Sequence, residues 1–523
     1  MAKTTKITKN NITKDGTAAT DIFNVYGNYN TVNAKGGADK ITVYKGKDHV
    51  IYGGAGNDKI VVKNKSSIRA TIYGGSGKDT ITVNGGSISV YGDEWGTGSR
   101  VKGDDTIIIN GGSYAFVKGG AGNDKITVNK CTKGNIYGDA GKDTIKVHAG
   151  AFGVNGGAGD DTILLDKKAK STTTYEAVNT QIYGNEGNDK ITVTSGNNFF
   201  GIDGGAGKDT IKITGGKLHK ILGGTGNDTI TLKNCKHYNS TYKYSDGSKR
   251  ITRHETEVYG GAGHDTITVI GGSYNKIIGD YAYSSSGNWE GNDKFFVKSG
   301  TGHEIFTGWG NDKVYVSGGN NIFIKNGIND NHLYTGNDYA CGNDRIEISG
   351  GTNITFIGSS GSYNGKYRNA ETIVITGGKG LDINTNASEN GADEDTITIS
   401  GGAGKVNAGK GSNKVTINWT KNIGDYFISA GGLLDDRIVV KNAKSTDFMV
   451  TRDYKYWGLG YVDHDYLIFT HKTTGAAITL AGWSEYDETT YGMYFTGDKK
   501  IMFSKPMESP IIAAAKATPG YMG

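Results

Sequence analysis

Proline is almost absent from this sequence, with three residues in 523, while glycine occurs 85 times. A collagen triple helix would need abundant proline and a glycine at every third position. A disordered linker would lack the many isoleucines and valines found here. Glycine at roughly twice its usual share also argues against a helical or ordinary α/β protein. The composition therefore favours a β-rich chain with many turns.

Long apolar runs, a signal peptide and an excess of charge are missing as well. No stretch approaches the ~18 consecutive apolar residues that a membrane helix needs, and residues 1–6 lead into polar sequence where a signal peptide has its apolar core. The 58 Lys and Arg against 53 Asp and Glu give a net charge of +5, and the lysines are spread along the chain. We therefore predict no membrane insertion, no N-terminal secretion signal and no nucleic-acid partner.

One repeat runs through almost the whole chain: an acidic residue followed two and four positions later by apolar residues. Around Asp124, Ile126 and Val128 alternate with outward residues, which is the period-two pattern of a short strand. A second apolar position, Val117 in this repeat, lies seven residues before the acid. Successive acids are often 18 to 21 residues apart, and such a period indicates a solenoid. The repeat positions are Asp21, Asp39, Asp58, Asp79, Asp105, Asp124, Asp143, Asp161, Asp189, Asp209, Asp228, Asp265, Asp293, Asp312, Asp344, Glu371, Asp395, Asn413 and Asp436.

Each repeat is interpreted as one coil of two short strands and two turns. One turn reads Gly-Gly-x-Gly-x-Asp, and the opposite turn is often a bare Gly-Gly pair such as Gly111–Gly112. Stacked coils would bury a thin seam of Ile and Val, each coil against its neighbours, and the ends of such a stack need caps. The sequence therefore predicts an all-β protein: a solenoid of about nineteen coils with a small C-terminal β cap.

Seven coils carry the complete glycine turn, and Gly53–Ile60 is the type example. This turn resembles the Gly-Gly-x-Gly-x-Asp-x-aliphatic-x nonapeptide of the RTX, or haemolysin-type calcium-binding, proteins. The resemblance implies a parallel β-roll, calcium ions between turns stacked on the same edge, and export by a type I system. The seven turns end at Asp58, Asp79, Asp124, Asp161, Asp209, Asp228 and Asp265.

Elementary chemistry agrees with calcium in these turns. Calcium takes about six to eight oxygen ligands, and two adjacent turns offer two carboxylates together with glycine carbonyls. Carboxylates stacked at ~5 Å also repel each other unless a cation neutralises them. The candidate metal ligands are Asp58, Asp79, Asp124, Asp143, Asp161, Asp189, Asp209, Asp228, Asp265, Asp293 and Asp312.

Three departures from the RTX pattern leave an alternative open. The acidic turn lies on one edge of the coil, so at most one file of ions is expected. Lysines stand directly before several key acids, as Lys78, Lys142 and Lys208 do. The turn also degrades after Asp265, ending with Asn413 in place of an acid. A metal-free solenoid in which lysine ammonium groups replace the ions is therefore the alternative interpretation.

The chain divides into four predicted segments. Residues 1–15 form an N-terminal arm that could donate a strand to another copy, and 16–445 form the solenoid. Residues 446–505 contain a strand pair that looks like the cap closing many RTX rolls. The tail at 506–523 could, by the same resemblance, hold an uncleaved secretion signal; a plain disordered terminus is the alternative.

The three cysteines are predicted to be free thiols. Cys131 and Cys235 occupy the same phase of coils that are five apart. At ~4.8 Å per coil they would lie about 24 Å apart, which exceeds the ~7 Å Cα limit for a disulfide. With Cys341 on the other edge, no spacing indicates a zinc site.

Insertions lengthen several turns on the acidic edge, and two more, at 167–180 and 234–256, lie on the opposite edge. Aromatic residues on such loops are candidates for contact with a glycan or another partner. The alternative is that these loops only cover the edges of the roll. The aromatic candidates are Trp95, Trp289, Tyr334, Tyr363 and Tyr367.

The sequence offers no complete catalytic motif. The His254–Glu255 pair begins like a zinc-protease helix but lacks the second histidine, and no Gly-x-Ser-x-Gly elbow occurs. We therefore predict a secreted, non-enzymatic calcium-binding protein that self-associates as a subunit of an extracellular fibre, surface layer or matrix. The alternative is a carbohydrate-active enzyme or a glycan-binding adhesin that uses the insertion loops. A file of outward threonines makes an ice-binding protein a weaker alternative.

Overall fold

The computed structural model of the chain consists almost entirely of short β-strands arranged in two compact units, Met1–Gly261 and Ala262–Gly523. No helix in the part of the chain that the structure describes is long and apolar enough to cross a membrane. The structure describes residues 3–63, 68–93, 102–166, 181–194, 201–216, 220–244, 248–280, 291–326, 342–358, 370–385, 394–409, 413–429, 437–457, 461–481, 491–495 and 501–503.

The first unit is a succession of parallel strands with one separate hairpin. Its strands are β1 (Lys3–Ile7), β2 (Thr13–Asp15), β3 (Asp21–Val25), β4 (Thr31–Asn33), β5 (Lys40–Val43), β6 (His49–Ala55), β7 (Lys59–Val62), β8 (Arg69–Ser76), β9 (Thr80–Val83), β10 (Ser87–Tyr91), β11 (Thr106–Ile109), β12 (Tyr114–Ala121), β13 (Lys125–Val128), β14 (Lys133–Ala140), β15 (Thr144–Val147), β16 (Ala151–Ala158), β17 (Thr162–Asp166), β18 (Gln181–Glu186), β19 (Lys190–Thr194), β20 (Gly201–Ala206), β21 (Thr210–Thr214), β22 (Lys220–Thr225), β23 (Thr229–Lys233), the hairpin strands β24 (Tyr238–Lys243) and β25 (Lys249–His254), and β26 (Thr256–Ala262).

Strands β1 to β21 each pair in parallel with the strand two places further along the chain, so consecutive coils stack in register. Strands β11, β13 and β15 place Ile107, Ile126 and Ile145 side by side, and all three side chains are fully buried. Because side chains alternate along a strand, the apolar positions two and four residues after each acid face inward together. The predicted parallel solenoid is confirmed, with an Ile and Val seam as its core.

The first coil precedes the first acidic repeat position. Strand β1 pairs with β3, with Lys3 opposite Asp21, and β2 pairs with β4. Ile7 is buried in this coil. Residues assigned to an N-terminal arm therefore continue the solenoid's own strand pairing, and the donation of a strand from this segment to another copy stays a prediction.

Both corners of the coil are fixed by close contacts between neighbouring coils. In the acidic turn, Gly54 has a φ of +100°, and a Cβ atom there would collide with the carbonyl of Lys35 in the preceding coil. At the opposite corner, the amide side chains of Asn84, Asn110 and Asn129 form a ladder with N–H···O distances of 2.9 and 2.8 Å. Each ladder bond joins one coil to the next.

The second unit repeats the parallel pairing and ends in an antiparallel cap. Its elements are β27 (Thr266–Ser273), β28 (Asn275–Ile278), β29 (Lys294–Thr301), β30 (Glu304–Phe306), β31 (Lys313–Val316), β32 (Asn320–Lys325), β33 (Arg345–Ile348), β34 (Thr352–Ile357), β35 (Thr372–Ile375), β36 (Leu381–Asn384), β37 (Thr396–Ile399), β38 (Gly402–Asn407), β39 (Lys414–Asn418), β40 (Ile423–Ser429), β41 (Arg437–Lys441), the 3₁₀ turn η1 (Ser445–Asp447), β42 (Phe448–Trp457), β43 (Tyr461–His471), β44 (Ala477–Ala481), β45 (Tyr491–Phe495) and β46 (Ile501–Phe503).

The predicted C-terminal β cap is confirmed. Strands β42, β43 and β44 form an antiparallel meander, and β44 continues the solenoid by pairing in parallel with β40. The Trp419 ring joins the last coils to this cap, since it stacks on His471 at 4.8 Å and meets Phe448 edge-on at 4.8 Å. An aromatic cluster therefore fixes the cap to the last coils.

The described cysteines agree with the prediction of free thiols. Cys131 and Cys235 are both buried and unbridged. Burial raises the pKa of the Cys235 thiol to about 12, so the thiolate does not form at neutral pH. Cys341 lies outside the described residues.

Candidate metal centre

The acidic residues at the ends of the glycine turns form one continuous column within each unit, which we call the aspartate file. Every predicted metal ligand belongs to it, and each side chain is at most 2% exposed. The backbone N–H of Asp58 donates to Oδ1 of Asp79, the next acid in the file, at 2.7 Å. The same bond joins Asp124 to Asp143 and Asp143 to Asp161, again at 2.7 Å. The carboxylates themselves therefore form the hydrogen bonds that join one acidic turn to the next.

The second carboxylate oxygen has no such bond at most of these positions. In the described structure, Oδ2 is buried without a hydrogen-bond partner at Asp58, Asp79, Asp124, Asp143, Asp161, Asp189, Asp209 and Asp312. A buried carboxylate oxygen that lacks a partner is unfavourable, because it has lost its water and gained nothing in return. The file therefore provides a column of oxygens in need of a donor or a cation.

A backbone carbonyl lies close to most of these oxygens. A Cβ atom on Gly53 would collide with both Oδ2 of Asp58 and the carbonyl oxygen of Gly74 in the next coil. The same pair of oxygens, from Asp124 and Gly138, crowds Gly119. The first glycine of the turn is thus required because two oxygens converge beside its Cα atom.

This donor set fits calcium. It consists of oxygen alone, one carboxylate and one glycine carbonyl for each coil, and hard cations such as calcium prefer oxygen ligands. Among the described residues, no group of three or more His, Cys, Asp or Glu side chains gathers around one point. An ion would therefore be held by carboxylates and backbone carbonyls of adjacent turns acting together.

The file holds protons unusually tightly. Burial raises the pKa of Asp58 to about 6, of Asp79 to about 7 and of Asp124 to about 8. The N–H bond that each carboxylate accepts lowers its pKa, and the charge of the neighbouring carboxylates raises it again. Near neutral pH these groups therefore need either a proton or a cation.

The lysines of the acidic turns do not neutralise the buried carboxylates of the aspartate file. Lys78, Lys142 and Lys208 are exposed, whereas the acids that follow them are buried. In the ion pairs that the described residues form, none of the three lysines contacts the aspartate file. The geometry favours cation binding over the alternative of lysine neutralisation.

Two further acids lie beside the file in the first unit. Oδ2 of Asp93 accepts the N–H of Ala121 at 2.6 Å, and burial raises the pKa of Asp93 to about 6. Its charge also raises the pKa of Asp105 and Asp124. Asp139 is partly neutralised by Lys118, 3.5 Å away. Additional negative charge therefore lies beside the file at Asp105 and Asp124.

Some members of the file were not among the predicted ligands. Asp105 accepts the N–H of Asp79 and donates its own to Asp124, although an insertion interrupts its glycine turn. The signal that identifies it is the pair Ile107 and Ile109, which keeps the spacing of two and four residues. The other described members are Asp21, Asp39, Asp344, Glu371, Asp395 and Asn413.

The file changes character in the second unit. Asp312 donates its N–H to Oδ1 of Asp344, while the Thr307 hydroxyl donates to the other oxygen at 3.0 Å. Burial, and then the charge of Asp344, raises the pKa of Asp312 far above its usual range. At the end of the described file, the Asn413 amide replaces a carboxylate and donates to the carbonyl of Ala408 at 2.7 Å. A neutral amide therefore terminates the acidic column.

The aromatic loop candidates Trp95, Trp289, Tyr334, Tyr363 and Tyr367 lie outside the described residues, as do Glu94 and Asp436. Their proposed contacts with a glycan or another partner stay predictions.

Comparison with known proteins supports the resemblance seen in the turns. The family model described as RTX calcium-binding nonapeptide repeat (4 copies) matches residues 26–60, 71–87, 135–163, 183–212 and 304–323. No curated protein and no solved structure matches the chain. RTX nonapeptide repeats bind calcium, and they indicate a protein of a typically secreted class. Four of the matched stretches lie in the first unit, which holds most of the complete glycine turns.

Proposed function

Because this chain carries RTX calcium-binding nonapeptide repeats, we propose that it is a secreted structural protein, the subunit of an extracellular fibre, surface layer or matrix. The observation that supports this function is the aspartate file, whose bonds run without a break from Asp39 to Asp228 in the first unit. The stacking of these coils therefore depends on charge neutralisation along one edge.

The mechanism follows from the burial of the carboxylates. Calcium, when bound, supplies positive charge and oxygen coordination between adjacent turns. The N–H bonds of the file orient each carboxylate toward the preceding turn, and the glycine carbonyls complete the donor set. Ionised aspartates buried at this spacing would otherwise repel each other and oppose stacking. A chain of this kind is expected to fold where calcium is abundant, which suits a protein that folds outside the cell.

Self-association is supported by the start of the solenoid. In the described pairing, β1 bonds only to β3 and β2 only to β4, so one edge of each strand is left for a further partner. An open strand edge is a template for strand addition by another chain. We propose that residues 1–15 form the contact between copies, and that the tail at 506–523 carries a type I export signal.

We also propose that the protein is not an enzyme. The RTX repeat family is mostly structural or toxin-like, and the described residues belong almost entirely to coils and cap. Turnover of any substrate on a panel of polysaccharides would contradict this part of the proposal and favour the carbohydrate-active alternative.

The decisive experiment is a calcium titration of the purified full chain, followed by circular dichroism and negative-stain electron microscopy. We expect millimolar calcium to increase the β-structure and then to produce fibres or sheets. A chain that lacks residues 1–15 should fold but fail to assemble, whereas a chain that lacks 506–523 should do both. A protein that is fully folded in chelator and stays monomeric in calcium would refute the proposal.

A further inference from the structure

One element of the first unit stands apart from the solenoid. Strands β24 and β25 form a separate antiparallel two-stranded sheet, inserted between β23 and β26 on the edge opposite the aspartate file. Its base is fixed, because the N–H of Lys236 donates to the carbonyl of Gly216 at 3.1 Å and Cys235 is buried beside it. We call residues 236–255 the basic hairpin.

The basic hairpin is exposed on both faces. The exposed fraction of the side chain is 64% for Tyr242, 44% for Tyr244 and 66% for Ile251. Thr241 and Thr252 are exposed as well. A two-stranded hairpin that buries little surface is only marginally stable in water. Its projecting aromatic and aliphatic side chains therefore contribute little to the fold, and they are available to a partner.

The charge of the basic hairpin is concentrated and of one sign. Its 20 residues contain five Lys and Arg against two acids, whereas the net charge of all 523 residues is +5. Within the described residues, Arg253 is the hairpin cation that pairs with an acid, Glu255, at 2.7 Å. The hairpin therefore carries more positive charge than its own acids can neutralise.

We propose that the basic hairpin is a binding site for an anionic polysaccharide. Arg250 lies opposite Tyr242 in the pairing, so a cation and an exposed aromatic ring share one face of the hairpin. Guanidinium and ammonium groups bind carboxylate or sulfate, and tyrosine rings pack against the apolar faces of sugars. RTX repeats indicate a typically secreted protein, and charged polysaccharides are polyanions of that environment.

Other occupants suit the surface less well. A second copy of the chain would not offer its aspartate file, because those carboxylates are buried in the solenoid. Among the described residues of the hairpin, a single exposed aliphatic side chain, Ile251, could insert into a lipid surface, which is little apolar contact for membrane binding. Nucleic acid shares the charge of a polysaccharide, and the experiment below separates the two.

The test uses a matched pair of polymers, dextran sulfate and uncharged dextran, with the calcium-loaded full chain. Isothermal titration calorimetry in about 0.1 M salt should show binding to dextran sulfate alone, and the affinity should fall as salt rises. The double variant Lys249→Gln/Arg250→Gln should weaken binding about tenfold, which corresponds to about 1.4 kcal/mol. The control Lys59→Gln/Lys125→Gln removes two exposed lysines from solenoid strands and should leave the affinity unchanged.

A second pair of variants tests the aromatic contact. Tyr242→Ala should weaken binding about threefold, whereas Tyr183→Ala, at an exposed solenoid tyrosine, should not. Circular dichroism should show that all variants keep the solenoid, because the hairpin is a separate sheet and the control side chains on solenoid strands are exposed. The proposal would be overturned if uncharged dextran bound as well as dextran sulfate, or if the hairpin and control double variants lost the same affinity. Tighter binding to single-stranded DNA or to phosphatidylglycerol vesicles would also overturn it. Assembly of the chain is measured separately by electron microscopy, so failure of the proposed structural function can be distinguished from failure of polysaccharide binding.

Discussion

The burial of the aspartate file predicts that calcium reverses the effect of a single substitution, Asp124→Asn. Burial raises the pKa of Asp124 from 3.8 to about 8 in the folded protein. The unfolded chain therefore releases its proton at much lower pH than the folded chain does. The calcium-free protein should lose stability as pH rises from about 4 to about 8, which is the opposite of ordinary acid denaturation.

The size of the effect follows from that difference of about four pKa units. At about 1.4 kcal/mol for each unit, an ionised Asp124 opposes folding by on the order of 5 kcal/mol at high pH. Asparagine removes this charge without losing the turn, and Asn413 shows how. Its Oδ1 accepts the N–H of Asp395 at 3.0 Å, while its Nδ2 donates to the carbonyl of Ala408 at 2.7 Å. At position 124 the carbonyl near the second side-chain atom is that of Gly138 in the next coil, which can accept a bond from the asparagine Nδ2.

Urea unfolding at pH 8.5 measures the prediction, once in chelator and once in calcium. In chelator, Asp124→Asn should raise the free energy of unfolding by up to a few kcal/mol. In calcium, Asp124→Asn should lower the free energy of unfolding, because a charged ligand oxygen is lost. The matched control is Asp160→Asn, an exposed carboxylate that accepts the N–H of Asn188, and it should not stabilise the protein in chelator. Destabilisation by Asp124→Asn in both conditions would refute the reasoning, as would a calcium-free stability that rises between pH 5.5 and 8.5.

Three other predictions concern protons, the core and the turns. Protons should compete with calcium, so the affinity measured by titration calorimetry should fall from pH 8 to pH 6, where Asp79 with its pKa of about 7 takes up a proton; an affinity independent of pH would contradict this. Ile126→Ala should lower the free energy of unfolding by about 2–5 kcal/mol, because Ile126 is fully buried between two coils, whereas Thr127→Ala on the outer face should change it by less than about 1 kcal/mol. Gly54→Ala should reduce the thermal midpoint far more than Gly36→Ala, because a Cβ at Gly54 collides with a backbone carbonyl while at Gly36 its nearest neighbour is 3.6 Å away; equal effects would show that the turn adapts.

The repeat itself was readable because its signals are local. Ile126 and Val128 follow Asp124 at the spacing of one strand face, and the glycine turn precedes it. These signals predicted the parallel solenoid and the aspartate file, both of which the structure confirms. The same local pattern also marked Asp105, but its interrupted glycine turn concealed that it joins the file.

The hydrogen-bond partners of each carboxylate could not be predicted from the sequence, because they come from another coil. The Oδ1 atom of Asp189 accepts the N–H of Asp161, 28 residues earlier, while that of Asp143 accepts a bond from 19 residues earlier. Insertions change these separations, so no fixed spacing in the sequence identifies them. The outward position of Lys142 likewise depends on how the turn stacks on its neighbours.

The sequence by itself determined the coil, since alternation and glycine corners act within about 20 residues, and it determined the chemistry of the turn by placing an acid at each corner. Only the tertiary structure decided that these acids are buried, that a backbone N–H takes one oxygen and that in the complete glycine turns the other oxygen lies near a glycine carbonyl. It also decided that residues 3–15 form a coil and that the 234–256 insertion contains a separate basic hairpin. The physical reason is that burial and hydrogen bonding depend on contacts between two coils, whereas strand and turn propensities are set by the sequence of a single coil.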